Sequence, residues 1–585
     1  MFVQTPLQVK LFPCDNKYSE NEISALKKSW AQIIKDKVLP FLGTLELEFA
    51  KFFHKTMGRP IKYISLLIVV HIFKEMYDWT DEELLENVKF DKRFEYAFEL
   101  PYAELTVCQK TLHNFRMLLQ THDMARVILD RATRHIVKIF NLDTSKQRLD
   151  STHILSNMAK LSRLALFVRV LENFLIKLKK IDAQAFASLP TRFMERYGKR
   201  RGYFADARSK KTKHRLGESA NDMYYLIERF SGHEEMSSLK VTEHLQRVFN
   251  EHCTTRKIEA EHPITVEVIE EDTIQLQATQ ADEEHTGQKV DSLPEPTNHL
   301  IVKAPQDMPS GTLQNPSDED VTYGHKGAGY EATVAETCSE ENPFQVITDV
   351  QTDPSDHSDQ NKTMDVVERI DANDMKPDVL YTDGTFTSGE NIVECADKGV
   401  DLQGNLVGDD KHPEKLKLAD FEFAQDGITV TACPKGEKPV TQKQANARKP
   451  KSKSQQSFLV HFNLDRCKNC SCVARCPVKL QKKQAVIRFT RAQLASSLRR
   501  REQETEAFKE QNKIRAGIES TNAEMKKSQG LGRLRVRGQP RVNQTVLFKA
   551  LACNIKRMVK YVQSVQISAP NLENEAEIAL NPANC

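Results

Sequence analysis

Residues 513–541, KIRAGIESTNAEMKKSQGLGRLRVRGQPR, constrain this chain more than any other stretch. A helical period carried to Lys527 puts Arg515, Glu519 and Lys526 within roughly 40° of one another. Ile514, Ile518 and Met525 fall on an adjoining apolar stripe. Such a helix must press its stripe on a core while leaving a carboxylate between two cations at the edge. That is how a grip on a phosphate-bound metal can be mounted, and a solvated face with i,i+4 pairs has the same spacing. Residues 525–572 then hold no acid and ten Lys and Arg, among them Lys526, Lys527, Arg533, Arg535, Arg537 and Arg541. An unopposed basic tract favours polyanions, with an affinity that falls steeply as salt rises.

The 585 residues suffice for two or more domains. A net charge of +3 says little about partners, but the 84 basic and 81 acidic residues are segregated into blocks. No charged n-region followed by an apolar h-region opens the chain, so a cytoplasmic location without a signal peptide is expected. The apolar run at residues 63–73 is too short for a bilayer, contains His71 and reads as a buried helix. Five of the 12 cysteines lie within residues 433–476, a clustering that points to metal more than to scattered disulfides.

Residues 20–140 carry helical periodicity, with a T-x-x-E capping box at Thr80 and Glu83. Within residues 105–140, Phe115, Leu118, Leu119, Ile128, Ile136 and Phe140 supply a core. A groove-reading helix pair and a plain bundle both fit that pattern. In QRLDSTHIL, residues 147–155, Leu149 and β-branched Thr152 suit a strand end from which Asp150 projects. An aspartate there also suits a helix cap. Residues 154–178 read as a long amphipathic helix. Residues 192–215 hold ten Lys and Arg, including Lys199, Arg200 and Arg201, against Glu195 and Asp206, interleaved with Phe193, Tyr197, Tyr203 and Phe204. This is a candidate DNA-contact surface or a solvated basic face. Residues 259–284 invert the sign, with nine acids and no Lys or Arg, and the span to about residue 309 reads as a flexible insertion.

Residues 330–337 and 344–351 read as a β-hairpin, and Asp356, His357 and Asp359 in the loop beyond it as turn chemistry. Residues 377–399 read strand, tight turn, helix, with Asp383 ending the strand, Gly384 turning and a helix from about Gly389. The 136 residues from Asp383 to Glu519 exceed what one crossover needs and demand an insertion. It holds a β-prone piece at residues 428–432 and a basic run at residues 435–453. Cys467, Cys470, Cys472 and Cys476 follow, with Cys433 upstream in A-C-P-K-G. Cys467 and Cys470 have the spacing of a structural zinc pair, completed by Cys476 and either Cys433 or Cys472. Free reduced thiols are the alternative.

R-x3-E-x6-K followed by G-L-x-R-x-R-x-R-G resembles the glutamate signature of insertion-sequence transposases of the DDE type, whose full form is Y-x2-R-x3-E-x6-K. Asn512 holds the tyrosine position, a departure from the pattern. D-S-T-H-I around Asp150 and T-D-G-x-F-x-S-G-E-N around Asp383 resemble the family's first and second catalytic motifs. YISLLIVVHIF, WTDEELLENVKFDKRFEYAF and LTVCQKTLHNFRMLL resemble its N-terminal helical domain, and the block at residues 315–359 its second and third strands. Similar cysteine-bearing insertions occur at the same place in related transposases, where zinc would be structural.

The resemblance implies an α/β fold: a ribonuclease-H-like mixed sheet with an insertion before the Glu-bearing helix, preceded by an all-α N-terminal domain. The expected organisation is 1–145 helical domain, with DNA-end binding; 146–250 first catalytic strand and helical basic segment; 251–309 acidic insertion; 310–410 further strands with the second aspartate; 411–489 cysteine insertion; 490–565 Glu-bearing and basic helices; 566–585 tail. Asp150, Asp383 and Glu519 are expected to hold Mg²⁺ or Mn²⁺. Arg515 and Lys526 would hold a phosphate, with Lys527 and the arginines beyond it on DNA. The implied activity is nicking of double-stranded DNA at terminal inverted repeats, then attack of the 3′-hydroxyl on target DNA, by a homo-oligomer with no membrane partner. A non-catalytic DNA-binding descendant and a metal-dependent nuclease without strand transfer are the alternatives.

Overall fold

Alternation decides the central strand. In Lys146–Ile154 (β1), Gln147, Leu149 and Ser151 point to one face of the sheet while Arg148, Asp150 and Thr152 point to the other. The computed structural model describes residues 2, 17–54, 57, 61, 63–100, 105, 107–198, 212–257, 267–268, 298–309, 311–408, 412–445 and 452–579. Lys199, Arg200, Arg201 and most of the acidic tract lie outside these residues.

Strand β1 is flanked by Thr322–Gly324 (β2), Gly327–Thr337 (β3), Ile347–Pro354 (β4), Val379–Thr382 (β5) and Asp401–Gln403 (β6). Strand β3 runs antiparallel to β1, and β2 and β4 line its far edge in tandem. On the other side β5 is parallel to β1, and β6 to β5. Across the sheet the order is β4, β3, β1, β5, β6. The expected hairpin is thus β3 and β4, and the strand–turn–helix is β5 followed by Gly389–Asp397 with Ser388 as its cap.

On the odd face of β1, Leu149 joins an apolar layer. Leu149, Ala335, Leu380 and Leu402 pack with Val366, Val367 and Ile370 of the helix Thr363–Ala372 and with Phe386 and Cys395. Each aliphatic side chain buried there contributes roughly 1.5–3 kcal/mol. The even face shares a continuous core with the N-terminal helices. Ile64–Tyr77 is buried on nearly every side from Ile64 to Phe73, which accounts for its apolar run. The closing helix Gln539–Ala579 packs against it, and Asn554 ties that helix to the sheet by bonds of 2.7 and 2.8 Å to the backbone of Ile347. The capping box at Thr80 and Glu83 is present.

Three sequence expectations change. The helix expected at residues 154–178 is Arg163–Ile181, because Ile154 still belongs to β1 and Ser162 supplies the cap. With Thr212–Arg229 and Lys240–His252 it forms a separate core between β1 and β2. The flanks of the acidic insertion are ordered, since Cys253–Lys257 pairs antiparallel with Asn298–Val302. The helical period expected over residues 513–527 is interrupted: a 3₁₀ turn Lys513–Gly517 precedes Ile518–Ser528, after the separate helices Arg491–Glu502 and Glu506–Asn512. Thr505 starts Glu506–Asn512 by accepting the Phe508 N–H. The cysteine insertion builds its own four-stranded sheet from Thr441–Gln444, Ser457–Phe462, Ala485–Thr490 and Lys479–Leu480.

Candidate active site

Register brings the two aspartates together. Leu149 of β1 sits opposite Thr382 of β5 in a parallel ladder, so Asp150 and Asp383 take the next rung, on the same face. Asp150 lies inside β1 and not at its end, as its sequence had suggested, but it stands where the pairing with β5 stops. Burial pushes its carboxyl above the usual range, and the charge of Asp383 pushes the same way. Asp383 is held by an Asx turn in which its Oδ1 accepts the backbone N–H of Thr385 at 2.8 Å and its hydroxyl at 2.5 Å. A solvent-open cavity of about 520 Å³ lies beside Thr385, lined by Tyr323, His325, Asp356, His357 and Asp359.

The third carboxylate is placed differently. Glu519 opens the helix Ile518–Ser528 with its side chain 67% exposed and loosely paired with Arg515 at 3.6 Å. The group on this helix that reaches Asp150 is Asn522, whose Nδ2 donates to Oδ2 at 3.0 Å. Glu519, Asn522 and Lys526 recur at helical spacing, so Glu519 stands one turn before the residue in contact. The expected carboxylate between two cations is therefore half present. Arg515 pairs with Glu519, whereas Lys526 lies toward Asp150 and has its ammonium held below the usual lysine range by burial and by Lys326. Among the described residues, no three His, Cys, Asp or Glu side chains stand in metal-holding geometry.

A buried ion network docks this helix. Arg148, two residues before Asp150 on the same strand face, donates to the Ile514 carbonyl at 3.0 Å and pairs with Glu336 at 2.6 Å. It crosses so close to Gly517 that a Cβ there would meet its guanidinium at 1.7 Å, which explains a glycine at this turn. Glu336, fully buried, also accepts from Thr521 at 2.7 Å and Arg557 at 3.0 Å. Removing one member of such a buried network costs about 3–5 kcal/mol.

The basic loop after the helix runs beside the end of β1. Leu155 bridges Arg533 in parallel, and Asn157 N–H donates to the Val536 carbonyl at 2.9 Å. Leu534 is buried while Arg533, Arg535, Arg537 and Arg541 are exposed, forming a basic ridge beyond the end of β1. Arg535 is paired with Asp78 at 3.2 Å, and Lys527 is exposed. Asn512, at the tyrosine position, has a buried Oδ1 with no hydrogen-bond partner.

In the insertion, Cys433, Cys467 and Cys476 pack against one small core. Burial pushes the Cys467 thiol up to about 11, and the thiols of Cys476, Cys433 and Cys470 push the same way. The N–H of Lys435 points to Cys433 Sγ at 3.4 Å and that of Cys472 to Cys470 Sγ at 3.5 Å. The Cys472 thiol instead lies below the usual range: burial pushes it up, and hydrogen bonding from Ser471 and the charge of Lys435 outweigh that.

Sequence reading missed Asn522, Arg148, Glu336 and Lys326. Asn522 was legible as the residue one turn beyond Glu519, and Arg148 as the same-face neighbour of Asp150. The pairing of Glu336 and the approach of Lys326 come from strand register and have no local signal.

No helix among the described residues is long and apolar enough to cross a membrane. No curated protein and no solved structure matches the chain. Residues 432–559 match the family model described as a transposase DDE domain. The matched segment holds the cysteine group, Glu519 and the first part of the closing helix, and Asp150 and Asp383 lie upstream of it. That match, over residues 432–559, supports a DDE-type transposase.

Proposed function

We propose that this protein cleaves DNA at the ends of a mobile element and joins the freed 3′-hydroxyl to target DNA, with Asp150, Asp383 and Glu519 as the acids and a ribonuclease-H-like sheet as the scaffold. The observation that carries it is that Asp150 and Asp383 each directly follow the last paired rung of the parallel ladder, Leu149 opposite Thr382, with the Glu519 helix bonded to Asp150 through Asn522. The strand order, antiparallel through β3 and parallel through β5 and β6, supports the scaffold.

Two like charges in a partly buried site favour a cation, and an all-oxygen donor set suits Mg²⁺ or Mn²⁺. Bound there, divalent ions would polarise the scissile phosphate and lower the pKa of attacking water. The chain does the rest. The turn at Thr385 fixes the Asp383 carboxylate, Asn522 holds one oxygen of Asp150, and Arg515, Lys526 and Lys326 bring positive charge to where a phosphate would lie. The ridge of Arg533, Arg537 and Arg541 with Lys527 tracks a duplex backbone, and a homo-oligomer would bring two element ends together. In the insertion, Cys433, Cys467, Cys470 and Cys476 are the proposed structural zinc set, with Cys472 outside it.

One observation favours a second reading. The exposed Glu519 side chain and the neutral Asn522 at Asp150 also suit a DNA-binding descendant without catalysis. The test is incubation of the full chain with the DNA that flanks its own coding region, with Mg²⁺ or Mn²⁺ and a supercoiled target. Nicks at inverted repeats and joined products are expected. Binding without nicking leaves the second reading, and nicking without joining of a pre-cut 3′ end leaves a nuclease.

A further inference from the structure

Ser151 and Thr385 share a partner that neither motif around the aspartates contains. Asp359, 5% exposed at the start of the 3₁₀ turn Asp359–Lys362, accepts the Ser151 hydroxyl on Oδ2 at 2.7 Å, and the same oxygen lies 3.3 Å from the Thr385 hydroxyl, whose one proton it shares with the nearer Asp383 Oδ1. Its Oδ1 accepts the Lys362 ammonium at 3.0 Å. The sequence alone had suggested turn chemistry for Asp359, and the structure gives it a second task.

We propose that Asp359 is a positioning residue that sets the separation of Asp150 and Asp383, tying β1 to the turn after β5 through one hydroxyl on each. Ser151 follows Asp150 and points to the opposite face, so fixing its hydroxyl fixes the strand that aims Asp150. Thr385 holds Asp383 by two bonds to Oδ1, so fixing its hydroxyl fixes that carboxylate as well. Both limbs end on a single oxygen of a short, rigid side chain. Oδ2 carries the Ser151 bond and shares the Thr385 proton, and Oδ1 carries the Lys362 bond, which makes Asp359 a bracket behind the pair and not a third ligand in front of it.

The bracket is itself pinned. Lys362 is 4% exposed and also faces Glu331 at 3.5 Å and Asp353 at 3.8 Å. Lys326 donates to the Ser151 hydroxyl at 2.9 Å and to its carbonyl at 3.1 Å. Burial pushes Asp359 up, but the Ser151 bond and Lys362 outweigh it and the carboxyl lies below its usual range. Burial and the charge of Asp359 push Glu331 the other way, and its Oε1 is buried without a hydrogen bond, 3.9 Å from the Lys326 ammonium. The negative charge of this cluster therefore settles on Asp359, the acid that accepts both hydroxyls.

The inference rests on reading Asp150 and Asp383 as the metal-holding pair, and the experiment separates the two. Mn²⁺ binding to the full chain is followed by electron paramagnetic resonance without DNA, and the half-saturating Mn²⁺ for nicking is measured alongside it. Asp150→Asn reports on the pair, Asp359→Asn on the bracket, and Ser151→Ala and Thr385→Val remove one limb each. Loss of an orienting partner behind a metal ligand typically costs about 10–100-fold in metal affinity. A rise of that size is expected in the half-saturating Mn²⁺ of Asp359→Asn, a smaller one in each limb variant, and wild-type behaviour in Thr385→Ser. Val367→Ala, a cavity in the apolar layer, should lower Tm with no change in Mn²⁺ dependence, which a purely structural role for Asp359 would match. Should Asp150→Asn weaken Mn²⁺ binding while Asp359→Asn, or both limb variants if that one does not fold, keep the wild-type value, the bracket is overturned and the pair stands. Should Asp150→Asn itself bind Mn²⁺ as the wild type does, both fall.

Discussion

The central sheet and the cysteine-bearing insertion solve the same problem with unequal means. The sheet has an apolar layer on its odd face and, on its even face, a core continuous with the N-terminal helices and the closing helix. Among the described residues, the core cluster of the insertion holds nine buried apolar side chains for two small sheets. A core that small rarely stabilises a fold without a staple. Both regions collect groups that lose a proton with difficulty: burial and Asp383 raise Asp150, and burial and neighbouring thiols raise Cys467 to about 11. The lesson is that a cation would serve chemistry in the first region and folding in the second.

The sharpest break between them is at the acids. Asp383→Asn should lower Mg²⁺-dependent nicking by on the order of 10³-fold or more, because the amide cannot supply the charge that holds a divalent ion. The Thr385 bonds that shape its turn have an acceptor in Asn as well, so Tm should hardly move. Nicking at the wild-type rate by this variant would remove Asp383 from the site.

Next in size is the insertion. Zinc held by four thiolates contributes about 10 kcal/mol or more to the folding of a small unit. Cys470→Ser, or treatment with a strong chelator, should open residues 412–490 to proteolysis while the sheet stays resistant, as read by mass spectrometry of the fragments. One zinc per chain is expected in the untreated protein. A zinc-free chain with an unchanged cleavage pattern would show that the thiols need no metal.

The two regions also differ in how far they could be read from sequence. Strand β5, its turn and its helix were legible because Val379 to Tyr381, Asp383, Gly384 and Ser388 carry local signals. The hairpin of β3 and β4 was legible for the same reason. The break at residues 503–517 was not, because the segment is rich in helix-prone residues and the close approach of Arg148 from β1 to Gly517 has no local signal. On the helix that follows, Asn522 and not Glu519 meets Asp150. Asp359 resisted reading because its partners, Ser151 and Thr385, are 208 residues before it and 26 after. Local chemistry thus located the aspartates, and register decided what surrounds them.

A smaller effect tests whether the ridge beside the sheet is for DNA. Arg533→Ala, Arg537→Ala and Arg541→Ala should each weaken duplex binding about equally across sequences, and each should lessen the slope of log affinity against log salt by about 1. Arg535→Ala should change it less, because Asp78 already neutralises that side chain. A slope untouched by all four would move the DNA surface elsewhere.

The smallest effect is in stability, and its sign is the opposite of the usual one for a mutation. A carboxyl whose pKa in the folded state is raised above its unfolded value favours folding only while protonated, and that contribution is lost as pH rises through the folded-state value. Asp150 is such a group, raised by burial and then by Asp383. At neutral pH, without metal, its ionised form therefore works against the fold, whereas an amide in its place carries no charge and still accepts from Asn522. Asp150→Asn should raise Tm at pH 7 in the presence of a chelator. The gain should shrink as pH falls into the carboxylate range, where the wild-type side chain takes up its proton. Adding Mg²⁺ at pH 7 should narrow the gap from the other side, by stabilising the wild type alone. The same scan on Cys467→Ser should show no gain at any pH, because the thiol it replaces is still protonated at neutrality. If Asp150→Asn is less stable than the wild type at pH 7 without metal, then the carboxylate is held by favourable contacts and the sheet, like the insertion, uses its polar groups to fold.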